Sequence, residues 1–427
     1  MAEIMPFKGI LYNENKVGGL RKVVTPPYDV IPDEEREEYY RNSRWNVIRL
    51  VLGKDSPEDN EKENKYTRAN DYMLKWLEEG VLQKDVKPAI YYLKQEFKLV
   101  DSGLIVRRGF ISLIKLNDYK YVLPHEKTLS GPKKDRLKLL ESCRSNFSPV
   151  FTFYSDPEKA ANRIVTVKEK TKPDMMVDFK GVKESLWKIT EPGLINELNL
   201  IAKDRPFYIA DGHHRYATAL NYQAAMKASN PTHTGNEAYN YTMIYFTNMD
   251  DEGLVIFSTH RMIRNIKNLK ADVFLTSLKA DFRILPCKDA NEMLRQLEKS
   301  SNNRQLGLCL ENNRYFLITP EDNGTTPGKA RERSEAYYRL NVAALHELVL
   351  RKMLNVAEDT FDNITYTRDA EEAIEQVKKG VFQAGFILKP ISISELRDVV
   401  KSKDLMPRKA TYFYPKLLSG LVINRMD

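Results

Sequence analysis

The stretch IADGHHRY, Ile209 to Tyr216, carries the residue types best suited to chemistry in this chain. An aspartate, a glycine, two histidines and an arginine follow one another where an apolar run, Phe207-Tyr208-Ile209-Ala210, gives way to a helical pattern with Ala217, Leu220 and Ala224 on one face. That order predicts a buried strand entering a helix at Asp211-Gly212. The first turn of a helix has free N–H groups and the positive end of the helix dipole, so it attracts anions. Gly212 lets a ligand approach the backbone, while His213, His214 and Arg215 add donors. The expected chemistry is the gripping of a phosphate or a similar anion. Asp211 has two readings, as the helix cap or as a ligand for Mg2+.

Other ionisable segments are candidates for the same pocket. Thr25-Pro26-Pro27-Tyr28-Asp29 forces extended backbone just before a carboxylate. HEKTLSGPKKDR, 125–136, reads as a polar loop, and MPRKATYFYPK, 406–416, sets Arg408, Lys409 and Lys416 among aromatics without helical periodicity. His260-Arg261 follows a strand and is a weaker signal, and His346 sits inside a helical pattern, where a structural role is expected. The chain contains neither the GxxxxGK[ST] phosphate loop nor the GxGxxG or HExxH patterns. Classical nucleotide kinases, dinucleotide enzymes and zinc hydrolases are therefore disfavoured.

The elements that must position these residues suggest a mixed α/β chain in two parts. At 427 residues, with 42% hydrophobic and 30% charged residues, the chain has the composition of a globular protein beyond single-domain size. The predicted division is 1–265 and 266–427. Its 67 Lys and Arg against 59 Asp and Glu give a formal charge of +8, interspersed along the chain, which suits small anions as well as nucleic acid. Three scattered cysteines argue against a disulfide framework. No apolar stretch approaches the ~20 residues of a membrane span, and a reducing cytoplasm fits best. Tyr66, Ala69, Met73, Trp76 and Leu77 predict a helix ending at Gly80, and 89–98 with 104–122 predict an antiparallel hairpin. Further strands are expected over Tyr241–Thr247, Leu254–Ser258 and 380–390. A loop is expected over Asp322–Ser334, followed by one helix over Glu335–Met353.

The Asp-Gly-His-His-Arg string resembles the signature of free serine kinases of the ParB/sulfiredoxin-like fold. Over nearly its full length the chain is also similar to a bacterial and archaeal family long catalogued as a domain of unknown function. The shared features stand here as PPYDV (26–30), Asn46 with Arg49, HEKT (125–128), PKKDR (132–136), FSP (147–149), IADGHHRY (209–216), HR (260–261) and MPRKATYFYPK (406–416). The resemblance implies a ParB-like kinase core with large insertions and an added C-terminal α/β region. It also implies transfer of a phosphoryl group from inorganic pyrophosphate to free L-serine, with Mg2+, leaving ADP or ATP open as alternative donors.

Phosphoryl transfer asks for cations around the moving phosphate, a carboxylate near the acceptor hydroxyl, and usually Mg2+. On that reading Gly212, His213, His214 and Arg215 take the donor phosphates, and Glu126 is the general base, lifted above a solvated glutamate only by the resemblance. Lys133, Lys134 and Arg136 are candidates for the second phosphate or the serine carboxylate, and Lys409 and Lys416 are candidates for phosphate binding. His125, Thr128, Arg21, Tyr28, Asp29, Asn46 and Arg49 are candidates for a wall of the site, with Asp29 the alternative base or metal ligand and Thr411 a further candidate beside Lys409. Two other functions compete. A ParB-like nucleotide switch or DNA-associated module would use the net charge, although neither a helix-turn-helix nor a basic stripe is evident. A phosphate-ester hydrolase would use the same cations with water as nucleophile.

Overall fold

A computed structural model gives the architecture and describes residues 2–99, 102–126, 131–203, 205–321, 333–356 and 363–426, apart from the side chains of 131–133. It is mixed α/β, as expected. Two compact units emerge, one formed by 1–124, 128–254 and 415–427, the other by 125–127 and 255–414. The sequence division into 1–265 and 266–427 differs from this in two ways. Residues 255–265 go with the second unit, and the C-terminal segment from Pro415 returns to the first.

The first unit is built on a mixed sheet of nine strands among the described residues. Its order is Val122–Pro124, Phe207–Asp211, Val150–Tyr154, Tyr241–Asn248, Leu104–Lys115, Ile90–Lys98, Val182–Ile189 and Met175–Phe179, with Ile4–Met5 pairing Leu104–Lys115. The expected hairpin is present, in register from Tyr91 opposite Ile111 to Lys98 opposite Leu104. Its second strand stops at Lys115, short of 122, because Asp118 and Tyr119 adopt positive φ values of 47° and 58° that a strand does not accommodate. The helix Lys65–Glu78 follows the predicted pattern, is capped by Asn64, and is followed by Gly80 at φ 65°.

One face of the sheet carries Ile90, Tyr92, Phe110, Ile114, Phe207, Ile209, Ile244 and Phe246 into a single apolar cluster. The helix His213–Ser229 docks there through Tyr216 and Ala219, with Leu220 partly buried, and Ala224 is exposed. Of the expected stripe, Ala217 is buried and Leu220 partly so, and only Ala224 turns to solvent. A tyrosine removes far more apolar area from water than an alanine, so Tyr216 sets the face turned to the sheet, while Tyr222 packs in a separate cluster with Leu140.

The opposite face holds a buried polar chain that the alternation pattern does not reveal. Gln95 Nε2 donates to Glu184 Oε1 at 2.8 Å, and Arg107, 1% exposed, donates Nε to Gln95 Oε1 at 2.8 Å. Arg107 also donates to the Pro415 carbonyl at 2.5 Å and lies 4.6 Å over the Phe151 ring. The C-terminal segment crosses the first unit from that point. Ser419 exchanges backbone hydrogen bonds with Thr25, Ile423 with Ile10, and Asn424–Arg425 pairs with Ser145–Asn146.

The second unit is an antiparallel sheet in the order Phe282–Cys287, Arg314–Pro320, Leu306–Leu310, Ala384–Leu388, His260–Ile263 and Ile364–Thr367. Val255–Phe257 pairs separately with Tyr412–Tyr414. The expected loop at 322–334 falls mostly outside the described residues. The helix expected over 335–353 is divided into Glu335–Tyr338, Asn341–Ala344 and a π-wound stretch Leu345–Met353 in which His346 is buried. The three cysteines are unbridged. Among the described residues no helix is long and apolar enough to cross a membrane.

His260 and Arg261 are structural in this unit. His260 Nδ1 accepts the Leu388 N–H at 3.2 Å, and burial, reinforced by the Arg261 charge, lowers its pKa from 6.5 to about 4. Arg261 is fully buried and donates to the carbonyls of Thr259, Arg408 and Lys409. Because the folded state keeps His260 neutral while the unfolded chain protonates it, its contribution is intact above pH 6.5 and is lost as the pH falls towards 4. That shift corresponds to about 3 kcal/mol. His260→Asn retains an acceptor without a titrating ring. In denaturant unfolding, the stability difference between wild type and this variant is expected to move by about that amount between pH 7 and pH 4; a difference that is flat with pH would contradict the assignment.

Candidate functional site

The signature lies at the predicted strand-to-helix junction. Phe207–Asp211 pairs in parallel with Val122–Pro124 and antiparallel with Val150–Tyr154, and the register shifts between Ile209 and Asp211. Gly212, at φ 89°, turns the chain into the helix His213–Ser229. Asp211 does not cap that helix, which begins without any side-chain cap. Its carboxylate instead holds two cations: Oδ2 lies 2.6 Å from Arg215 Nη2 and Oδ1 lies 2.5 Å from Lys416 Nζ. All three side chains are only 12–15% exposed. Burial by itself would raise the Asp211 pKa, but the charges of Lys416 and Arg215 prevail and hold it well below the usual carboxylate range.

Gly212 has a further reason to be glycine. A Cβ at this position would lie 2.8 Å from the Arg215 guanidinium, and the positive φ disfavours side chains in any case. The guanidinium folds back over the turn and also donates to Ser148 Oγ at 3.1 Å and to the Pro149 carbonyl. The FSP string (147–149) thereby acquires a role: it supplies acceptors that aim Arg215.

Arg215 also faces a cleft of about 540 Å3, solvent-facing space included, whose walls include Tyr28, Arg136, Phe147, Ser148 and Thr218. Arg136 comes from the helix Gly131–Cys143, where the sequence suggested a loop. Leu137 and Leu140 pack with Tyr222 and Met226, and that apolar face turns the basic stretch into helix. Arg136 donates Nε to Asp135 Oδ2 at 2.8 Å and Nη1 to the Val51 carbonyl at 2.7 Å, with its guanidinium 4.0 Å from the Tyr28 ring centre. Burial and the nearby Asp29 push the Tyr28 hydroxyl up to about 12, against the opposing pull of Arg136 and Arg215.

Several expected residues take other places. His213 is buried and His214 half-buried, and neither is among the residues lining this cleft. Asn46 is wholly buried and structural: Nδ2 donates to the Lys22 carbonyl at 2.8 Å and Oδ1 accepts from Ile48 N at 2.9 Å. Arg49 bonds the Tyr40 carbonyl and lines a different, charged depression with Lys54, Asp59 and Arg68. Asp29 and Arg21 are exposed. Within the second unit, buried His125 meets Thr411 Oγ1 at 2.8 Å and the edge of Phe413, and Glu126 bridges the Met406 backbone. Lys409 in that unit is exposed at φ 53°. Thr128 lies outside the described residues, as does the side chain of Lys133.

As a metal ligand Asp211 fits poorly, since both carboxylate oxygens are engaged by cations, and no group of three or more His, Cys, Asp or Glu suited to a metal occurs among the described residues. The arrangement instead orients two cations around one fixed negative charge.

Residues 4–348 match the family described as "Protein of unknown function (DUF1015)". The chain belongs to this family. No curated protein matches the DUF1015 chain. Among solved structures it is similar to a conserved hypothetical protein from Pyrococcus furiosus, at 14% identity and a TM-score of 0.34, covering 72% of this chain and 93% of that one. A free serine kinase in complex with AMP is similar at 12% identity and a TM-score of 0.36, covering 71% and 86%. SbnI from Staphylococcus aureus, truncated at its C-terminus, is similar at 11% identity and a TM-score of 0.33, covering 72% and 85%.

Asp211→Asn removes the charge that pairs Arg215 and Lys416 inside the fold, and breaking a buried pair costs about 3–5 kcal/mol. A loss near the lower figure is expected at pH 7, because the triad keeps some solvent contact. The native Asp211 contribution is present above the unfolded carboxylate pKa and is lost as the pH falls through its depressed folded value, so the gap should narrow in strong acid. Urea unfolding of both proteins across acid pH measures this; equal stability at pH 7 would refute the ion-pair assignment.

Proposed function

We propose that this DUF1015 protein is a phosphotransferase that moves a phosphoryl group onto the hydroxyl of free L-serine, with inorganic pyrophosphate as donor. The observation that carries the reading is the Arg215–Asp211–Lys416 cluster at the Gly212 turn. Two cations against one carboxylate leave a net positive charge at a helix start, where phosphate oxygens gain most from fixed donors. Serine and pyrophosphate themselves rest on the sequence resemblance.

In the proposed reaction a bond forms between the serine Oγ and a donor phosphorus while the bridging P–O bond breaks, and orthophosphate departs. The hydroxyl proton passes to a general base. Asp211 is unsuited to that task, because a base works best with a pKa near the working pH and the Asp211 pKa is held far lower. It serves to fix Arg215 and Lys416 in place. Glu126 is retained as the proposed base on the family resemblance alone, with His125, Thr128, Lys133 and Lys409 as proposed substrate contacts on the same ground. Mg2+ is proposed to travel with the donor phosphates, neutralising their oxygens, without a carboxylate cage of its own.

Incubating the protein with Mg2+, L-serine and pyrophosphate, ADP or ATP in parallel tests the reading by phosphorus NMR. Phosphoserine is expected with pyrophosphate. Arg215→Lys is expected to lower turnover about 100-fold, the scale of losing one oriented donor at a developing charge. Glu126→Gln is expected to abolish transfer. Orthophosphate without phosphoserine would mark a hydrolase, and no turnover with any donor would overturn the proposal.

A further inference from the structure

The described residues lining the cleft beside Arg215 include two guanidinium groups, from Arg136 and Arg215, and no carboxylate. Val51, Leu139, Leu140, Phe147 and Val150 supply an apolar wall. Inorganic pyrophosphate has no apolar surface to place against such a wall, and zwitterionic serine carries an ammonium group that this lining does not balance. An apolar wall facing polar and cationic side chains is the composition expected of a site for an organic ligand.

Thr218 is a second, independent sign. It is 2% exposed, lines the same cleft one turn beyond His214, and its Oγ1 has no hydrogen-bond partner among the described residues. A buried hydroxyl left unsatisfied costs about 1–3 kcal/mol. Threonine in a helix divides its population between two χ1 rotamers, and a turn about that bond exchanges methyl and hydroxyl. Valine would fill the same space without the unsatisfied group, so the hydroxyl is retained against stability.

We propose that this cleft binds an organic anion, a phosphate or carboxylate head on Arg215 and Arg136 with an uncharged, largely apolar body against Leu139 and Phe147 and a hydrogen-bonding group at Thr218. The proposal rests on the reading of Arg215 as an anion site and narrows the class of molecule that site takes. It includes phosphomonoesters and aryl carboxylates, which bind here more tightly than the pyrophosphate proposed as donor.

Calorimetric titration of the full chain with orthophosphate, pyrophosphate, phenyl phosphate, benzoate and the hydroxyphenyl phosphates tests it. Phenyl phosphate or benzoate is expected to bind at least tenfold more tightly than orthophosphate, and whichever of the two does so identifies the head group. One hydroxyphenyl isomer should gain further, and Thr218→Val should erase that gain while leaving phenyl phosphate affinity and the melting temperature unreduced. Leu139→Ala should weaken the aryl ligands and spare orthophosphate. Equal affinity for orthophosphate and the aryl ligands, or a hydroxyl gain that survives in Thr218→Val, would overturn the inference while leaving the anion site intact. Failure of every anion to bind would instead remove the anion site itself.

Discussion

The first unit depends on one carboxylate caught between two cations. Asp211 ends the strand next to the sheet edge, Arg215 lies in the first turn of the following helix, and Lys416 comes from a segment 205 residues further along the chain. Tying Lys416 to Asp211 closes the first unit with its own C-terminus. It also fixes where positive charge sits at the Gly212 turn. Fold and site therefore share a single electrostatic constraint, and the price of holding a carboxylate in a poorly solvated place is met by the two partners that the site needs in position.

Behind this triad stands the buried chain Glu184–Gln95–Arg107. Arg107 grips the carbonyl of Pro415, the residue just before Lys416, so the lysine enters from an anchored backbone. Burial raises the Glu184 pKa to about 7, against the opposing influence of Gln95 and Arg107. As the pH rises from 4.5 towards 7 the unfolded chain releases this proton and the folded chain retains it, so the group favours folding less at higher pH. Near neutrality Glu184 is poised between its two charge states. A sheet that needed only cohesion would be better served by apolar side chains at these positions. The polar chain gives direction, which hydrophobic packing does not.

Local pattern made much of this architecture legible. The strand, turn and helix at 207–229, the hairpin at 90–115 and the helix at 65–78 all follow from periodicity and glycine placement, because each is specified by neighbours in sequence. Long-range partnership was not legible in the same way. Nothing in the spacing around Asp211 distinguishes a cap or a metal ligand from a residue clamped by Lys416, and the difference lies in which distant segment arrives. Asn46 shows the reverse: a polar residue expected at the wall of the site has its amide engaged by the backbone groups of a tight turn. The stretch around 131–143 was misjudged because its charged start hides an apolar face that only Tyr222 and Met226 reveal.

The histidines of the signature raise a different question. They were the residues most readily assigned to phosphate, yet Arg215 is the member of the string that lines the cleft. A guanidinium remains charged at every working pH and presents fixed paired donors, whereas an imidazole donates from both nitrogens only when protonated. With the permanent cation on the cleft and an imidazole inside, the charge that the string presents to the cleft does not change with pH near neutrality. The geometry supports that order of duties: Asp211, Ser148 and Pro149 all constrain Arg215, and Gly212 is bare so that the guanidinium can lie across it. The motif is thus better understood as a device for aiming one arginine than as a row of equal donors.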